Sequence, residues 1–334
     1  MASATTVQPK IRRSISMIKK TAFIIPFILF PLFSCGAPKD NGKLKILCTI
    51  FPEYEWMKAI TNKSNKVEVD LLLDKGSDIH SFNPSVNDMM KVATADLFVY
   101  VGGESDTWVD SALKNVTNKN QKTINLHTLL EDKLKPEESK EGMQEEEEEE
   151  EEETFDEHVW LSLSNASFCV NASKDILMEM VSEEKDLFIN NAKEYIDDLT
   201  FLDFSYKEMV ESSTRNTILV ADRFPFRYLV DDYGIDYFAA FKGCSSDIEA
   251  TPETIAFLIN KVDELALSYI LVTESSDKRL ANTVKSESKI KNQEILVLDS
   301  MQGTTLSEGK HYLSIMENNL EVLRKALNDV STPC

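Results

Sequence analysis

The chain is short of the residues that nucleic-acid sites and disulfide scaffolds require. Its 334 residues include only five cysteines and four histidines, and 36 basic residues are outnumbered by 57 acidic ones. The resulting net charge of -21 argues against a nucleic-acid partner, because binding to phosphates depends on clustered Lys and Arg. The same charge is compatible with a cationic ligand.

Motifs of the common enzyme classes are also absent from the sequence. There is no H-E-x-x-H, no G-x-S-x-G and no glycine-rich phosphate loop. Three protein ligands and a water could still form a catalytic zinc site, with Glu157 beside His158 as a base. The simpler interpretation of Glu157 is a supporting or surface acid. We therefore expect that the protein is not an enzyme.

The cysteines show no C-x-x-C spacing of a metal or redox site. If Cys35 is acylated, Cys48, Cys169, Cys244 and Cys334 remain and could pair in three ways. Cys48 and Cys169 lie in apolar stretches, which is typical of small buried residues. No disulfide is predicted.

The N-terminal segment has the pattern of an export signal. Five basic residues between positions 10 and 20 precede an apolar run over 21–33, which is too short for a membrane span of ~20 residues and contains two prolines. The ending L-F-S-C-G at 32–36 resembles a lipobox, which predicts acylation of Cys35; an ordinary cleaved signal is the alternative. Met17 could be the true start. We expect an exported protein, anchored by lipid to the outer face of the cytoplasmic membrane or lying in the periplasm.

Beyond the signal, short apolar segments alternate with helical patterns, which favours parallel sheets covered on both faces. The predicted fold is α/β, with two doubly wound lobes joined by a long helix and a ligand cleft between the lobes. The predicted strands are 44–51, 67–73, 97–101 and 123–126, then 217–221, 237–241, 269–273 and 294–298. The predicted divisions are a signal at 1–34, a tether at 35–42, an N-terminal lobe at 43–164, a linking helical segment at 165–213 with a break near 183–184, and a C-terminal lobe at 214–334.

An acidic insert over 131–157 contains nine consecutive glutamates at 145–153. Repulsion between like charges predicts a disordered, solvated insert. It is either an ordinary surface loop or a weak collector of cations, because carboxylates bind hard divalent ions loosely.

Two of the four histidines are candidate metal ligands. His80 follows the second predicted strand, and His158 follows the acidic insert; each lies near an acidic residue. Open α/β sheets bind ligands at such strand ends. One histidine at such a place is usually structural, but two in corresponding places favour a metal site. His127 and His311 have no companion motif and are expected to be surface or packing residues.

Several stretches in the same order resemble the solute-binding lipoproteins of zinc and manganese ABC importers, the zinc-uptake and adhesin-lipoprotein family. The resemblance covers about residues 43–328. Its motifs are H-S-F-N-P-S at 80–85, A-D-L-F-V-Y-V-G-G at 95–103, D-E-H-V-W-L at 156–161, the segment 228–234 and L-D-S at 298–300.

This resemblance implies a metal held between the lobes by His80, His158 and Asp299, a rigid linking helix, and delivery of the ion to a permease and its ATPase by a monomer. At the family's third ligand position the chain has Arg223, whose permanently protonated guanidinium cannot bind a cation. Asp222 or Glu274 could replace it, or could simply pair with Arg223. The ligand set suits Zn²⁺, or Mn²⁺ if more oxygens join. A surface adhesion lipoprotein is the alternative function.

Overall fold

The computed structural model describes residues 42–144, 154–245 and 249–328. The predicted signal, Cys35 and the glutamate run 145–153 lie outside these residues. Within them, no helix is long and apolar enough to span a membrane.

Four short parallel strands form the first sheet, each followed along the chain by a helix. The strands are β1 (Leu44–Cys48), β2 (Val67–Leu71), β3 (Leu97–Tyr100) and β4 (Lys122–Asn125), in the order β2-β1-β3-β4. The helices are α1 (Phe51–Ile60), α2 (Val86–Thr94), α3 (Thr107–Leu113) and α4 (Leu126–Leu129). Leu97, Phe98 and Val99 are almost fully buried, as expected for a strand covered on both faces.

The second sheet repeats this topology. It contains β5 (Thr217–Phe224), β6 (Asp236–Lys242), β7 (Tyr269–Val272) and β8 (Glu294–Val297), in the order β6-β5-β7-β8 and also parallel. The helices are α7 (Arg227–Tyr233), α8 (Pro252–Glu264), α9 (Arg279–Glu287) and α10 (Tyr312–Leu327). The predicted α/β fold with two parallel-sheet lobes is confirmed. Strand β5 continues past the predicted end at 221 through an irregularity between Val220 and Arg223.

Two helices connect the sheets, α5 (Leu163–Met180) and α6 (Lys185–Glu211), separated by a 3-10 turn at Ser182–Glu184. The long connecting segment is therefore interrupted at the glutamate pair. Helix α6 packs against both α1 and α10. The Tyr312 hydroxyl at the start of α10 donates to the Trp160 carbonyl at 2.6 Å, and its ring packs edge-on against Trp56. The last helix thus packs against the first lobe, and one apolar core runs through both halves.

Part of the acidic insert is not the solvated loop that the sequence predicts, because residues 135–144 pack on strand β6 and helix α7 of the second lobe. The Gln144 N–H donates to the Ala240 carbonyl at 2.9 Å, and Lys135 pairs with Asp231 at 2.9 Å. Glu138 pairs with Arg227 and accepts from the Tyr237 hydroxyl. The Arg227 guanidinium compensates the charge of Glu138, while the backbone bond and the Lys135 pair attach this segment to the second lobe.

Candidate metal centre

His80 lies in a short 3-10 turn, Ile79–Ser81, after β2. The Asp78 carboxylate caps this turn by accepting from the His80 N–H at 3.0 Å. On the imidazole, Nδ1 lies 2.6 Å from Ser105 Oγ and 3.6 Å from Glu157 Oε2. These neighbours fix the ring and leave Nε2 facing away from them. Burial, assisted by the nearby His158, lowers the pKa of His80 to about 4, so its imidazole is neutral at pH 7, the form that binds metals.

His158 precedes a second 3-10 turn, Val159–Leu161, and its side chain is fully buried. Asp156 Oδ1 accepts from both the backbone N–H and Nδ1 of His158, each at 2.9 Å. Burial lowers the pKa of His158, but the Asp156 carboxylate outweighs it, so that the pKa is raised in the protein without an ion. A carboxylate on the far ring nitrogen is the usual partner of a metal-binding imidazole, because it fixes the tautomer and increases ligand basicity.

The two free imidazole nitrogens meet. The Nε2 atoms of His80 and His158 are 3.3 Å apart, although the residues are separated by 78 positions. Two nitrogens bound to one tetrahedral Zn²⁺, each at about 2.0–2.1 Å, would be about 3.3 Å apart. The pair therefore already has the separation that a single tetrahedral ion requires.

Gln302, which the sequence analysis missed, closes this space from the second lobe. Its Nε2 donates towards the Nε2 of His80 at 2.9 Å and of His158 at 2.7 Å, while Ser300 Oγ donates to its Oε1 at 3.0 Å. An amide between the imidazoles must move, or turn its oxygen inward, when an ion enters. A lone glutamine three residues after a predicted ligand carries no spacing signal of its own.

Cys244 is the second residue beside the imidazoles that the sequence did not point to. Within the described ranges, His80, His158 and Cys244 form a group whose ligand atoms all lie within 4.8 Å of one another. Cys244 follows β6 by two residues, the position relative to its strand that ligands take in open α/β folds. Its place after a predicted strand was the one signal that the sequence offered.

Glu274 and Asp299 lie near this centre but outside the group of close ligand atoms. Glu274 accepts from the Ser300 N–H at 2.8 Å and from the Gln302 N–H at 3.2 Å, and its Oε1 lies 2.8 Å from Ser300 Oγ. Asp299 accepts from the Met301 N–H at 2.9 Å and from Lys310 Nζ at 3.1 Å. Both carboxylates shape the segment that carries Gln302, and their roles as ligands remain predictions.

Asp222 and Arg223 lie near the end of β5, and their side chains contact different lobes. Asp222 accepts from Thr273 Oγ1 at 3.0 Å and from the Arg223 N–H at 2.9 Å. The Arg223 guanidinium crosses to the first lobe and pairs with Asp78 at 2.9 Å. Arg223 therefore contacts the residue that caps the His80 turn, while Asp222 as a ligand remains a prediction.

The two other histidines do not join the centre. His311 is exposed and its Nδ1 lies 3.0 Å from Glu55 Oε2. His127 packs in the first lobe, where burial lowers its pKa to about 4.

The chain is similar to known proteins over most of its length. Residues 46–326 match the family model described as zinc-uptake complex component A, periplasmic. The zinc-binding lipoprotein AdcA of Streptococcus pneumoniae (serotype 4) is 33% identical over 297 residues, which cover 88% of this chain and 58% of the relative. The chain thus spans little more than half the length of that relative. The high-affinity zinc uptake system protein ZnuA of Bacillus subtilis is 28% identical over 320 residues, covering 93% of this chain and 99% of the relative.

A solved structure has the same fold. The Zn(II)-bound ZnuA-like domain of S. pneumoniae AdcA superposes with a TM-score of 0.68 at 30% identity, covering 86% of this chain and all of that domain. The residues that the family model matches, 46–326, include His80, His158, Cys244 and Gln302.

Proposed function

Since the chain belongs to the family of periplasmic zinc-uptake complex component A proteins, we propose that it captures Zn²⁺ outside the cytoplasm and delivers it to the permease of an ABC importer. The observation that carries this proposal is the pair of imidazole Nε2 atoms 3.3 Å apart between the lobes. Each ring is held by an acceptor or acid on its Nδ1, which is the support that metal-binding histidines require.

Capture proceeds through exchange of partners on the imidazoles. The hydrated ion loses water as the nitrogens of His80 and His158 bind it, and the Gln302 amide gives up its two contacts with them. His158 binds through Nε2 as the neutral imidazole, with its Nδ1 proton directed at Asp156. The ion is cargo and leaves the protein chemically unchanged, so the protein acts as a carrier rather than an enzyme.

Zinc is preferred to manganese in this proposal. Nitrogen ligands and tetrahedral spacing suit Zn²⁺, and general affinity for such sites is higher for Zn²⁺ than for Mn²⁺. The names of the AdcA and ZnuA relatives support the same choice. No observation on the described residues favours the alternative of an adhesion lipoprotein.

The location and partners follow from the same proposal. An acylated Cys35 would hold the protein at the outer face of the membrane, where a permease and its ATPase receive the ion. We expect the carrier to act as a monomer. The name of the AdcA relative includes the word lipoprotein, which supports the anchor.

Native mass spectrometry with Zn²⁺ tests the proposed function. The wild type should retain one ion, and the variant His80→Ala/His158→Ala should lose it because both nitrogen ligands are gone. His311→Ala is the matched control, since His311 is exposed and lies against Glu55, away from the centre. Equal retention by the double variant and the wild type would overturn the site.

Deletion of 145–153 in the same experiment separates tight binding from loose collection by carboxylates. We expect the deletion variant to keep the single tight ion. Loss of that ion would assign the binding to the glutamate run instead.

A further inference from the structure

Cys244 lies where the second lobe meets the two imidazoles. We propose that its sulfur is the third protein ligand of the centre. It would replace the ligand that the family carries at the position where this chain has Arg223. This inference rests on the proposed function, because it concerns the same ion, and it adds the ligand that determines which ions the site prefers.

The backbone around Cys244 is built for a close approach to His158. Cys244 follows Gly243, and a Cβ at that glycine would lie 2.9 Å from the Phe224 carbonyl oxygen and 3.1 Å from Cε1 of His158. Any other residue at 243 would therefore press on the imidazole or on the end of β5. The glycine lets the end of β6 lie directly against the first-lobe ligand.

Two hydrogen bonds hold the backbone at Cys244 in this position. Glu137, from the part of the acidic insert that packs on the second lobe, accepts from the Cys244 N–H at 3.1 Å. The Ser245 hydroxyl donates to the Lys242 carbonyl at 2.8 Å and closes the turn after β6. The cysteine thus lies on a fixed turn, with contacts from both lobes, rather than on a free loop.

The distances fit a single ion. With Zn–S of about 2.3 Å and Zn–N of about 2.0–2.1 Å, sulfur and nitrogen on one tetrahedral zinc are about 3.6 Å apart. The ligand atoms of His80, His158 and Cys244 all lie within 4.8 Å of one another, so a shift of about 1.2 Å at most brings sulfur and nitrogen to the separation of a tetrahedral zinc site. Two imidazoles and one sulfur leave a fourth position, which the oxygen of Gln302 or a water can take.

Arg223 explains why the ligand comes from another strand. Its guanidinium pairs with Asp78 and cannot bind a cation, so β5 supplies no ligand at this position. Neighbouring strand β6 ends at the same edge of the sheet and brings Cys244 to the same space. Coordination replaces the S–H bond by a sulfur–metal bond and releases the proton to solvent.

The consequence is a preference for softer ions. A thiolate is a poor ligand for Mn²⁺, Mg²⁺ and Ca²⁺ and a good one for Zn²⁺. A site with Cys244 should therefore reject Mn²⁺ more strongly than a site built from imidazole and carboxylate alone.

Absorption spectroscopy with Co²⁺ as a substitute for zinc tests the sulfur ligand on the full chain. A cobalt–thiolate bond gives an intense near-ultraviolet charge-transfer band that imidazole ligands do not produce. The wild type should show the band. Cys244→Ala should still bind Co²⁺ through the two histidines, more weakly and without the band. Cys48→Ala, which removes a buried cysteine of β1, is the matched control and should keep it.

The zinc affinity gives a second measurement. Cys244→Ala should weaken Zn²⁺ binding by more than the roughly 10–100-fold that loss of an outer partner causes, and should weaken Mn²⁺ binding far less. Circular dichroism and the retained cobalt binding establish that the variant is folded.

The outcomes separate this inference from the proposed function. A charge-transfer band that persists in Cys244→Ala, or is missing from cobalt-loaded wild type, overturns the sulfur ligand while the histidine site stands. Ion retention by His80→Ala/His158→Ala, or no ion bound by the wild type, overturns the proposed function and this inference with it.

Discussion

Removal of the Asp156 carboxylate should weaken zinc binding although Asp156 touches no ion. Its Oδ1 accepts from both the N–H and Nδ1 of His158 at 2.9 Å, and both side chains are almost completely buried. In Asp156→Ala the ring loses the acceptor that fixes its tautomer and orientation, and no water replaces it easily in a buried place. The Nε2 atom then no longer reliably faces His80.

The size of the effect follows from the burial of the pair. Loss of an outer partner typically reduces metal affinity 10–100-fold, about 1.4–2.7 kcal/mol. We expect the loss of zinc affinity in Asp156→Ala to lie near the upper end of this range, because solvent cannot screen or replace the buried hydrogen bond between Asp156 and His158 Nδ1. Asp156→Asn, whose amide oxygen can still accept from Nδ1 but carries no charge, should lie near the lower end.

A competition titration against a zinc chelator at fixed pH measures these affinities. Glu55→Ala is the matched control: Glu55 also lies 3.0 Å from a histidine Nδ1, that of exposed His311, and its loss changes the net charge equally. Affinity of Asp156→Ala equal to that of Glu55→Ala would refute the reasoning that Asp156 orients a zinc ligand.

Two further predictions concern stability. Burial, and to a smaller extent the nearby Asp106, raises the pKa of Glu53 from 4.5 to about 8. The protonated carboxyl therefore stabilises the wild type fully below pH 4.5, and this contribution to the free energy of unfolding should be lost as the pH rises from about 4.5 to about 8. Glu53→Gln should flatten this dependence in urea unfolding; an unchanged slope would contradict the assignment. Asn319, fully buried on α10, accepts from the Asp299 N–H at 2.9 Å and donates to the Asp299 carbonyl at 2.8 Å, so Asn319→Leu should lower the free energy of unfolding by roughly 2 kcal/mol or more. A melting temperature equal to that of the wild type would show that water satisfies both groups.

The local pattern of the chain was sufficient to predict most of the fold. Short apolar strands followed by amphipathic helices require burial on both faces, and this alone indicated two parallel sheets, while the glutamate pair at 183–184 marked the break between α5 and α6. The pattern could not predict where the described part of the acidic insert would lie. Its hydrogen bonds and ion pairs with the second lobe, such as that of Lys135 with Asp231 on α7, depend on residues about a hundred positions away.

Some residues of the candidate centre could likewise be predicted from the sequence and others could not. His80 and His158 were predictable from the sequence, because each follows the end of an element and has an acid beside it in the chain. Gln302 carries no such signal, and a single cysteine after a strand, as at Cys244, is too weak a signal to choose a ligand. Gln302 contacts His80 across 222 positions. The sequence by itself therefore determined the strands, the helices and the two candidate imidazoles. Only the tertiary structure decided which second-lobe side chains lie against them, because Gln302 and Cys244 come near His80 and His158 only when the two lobes pack together.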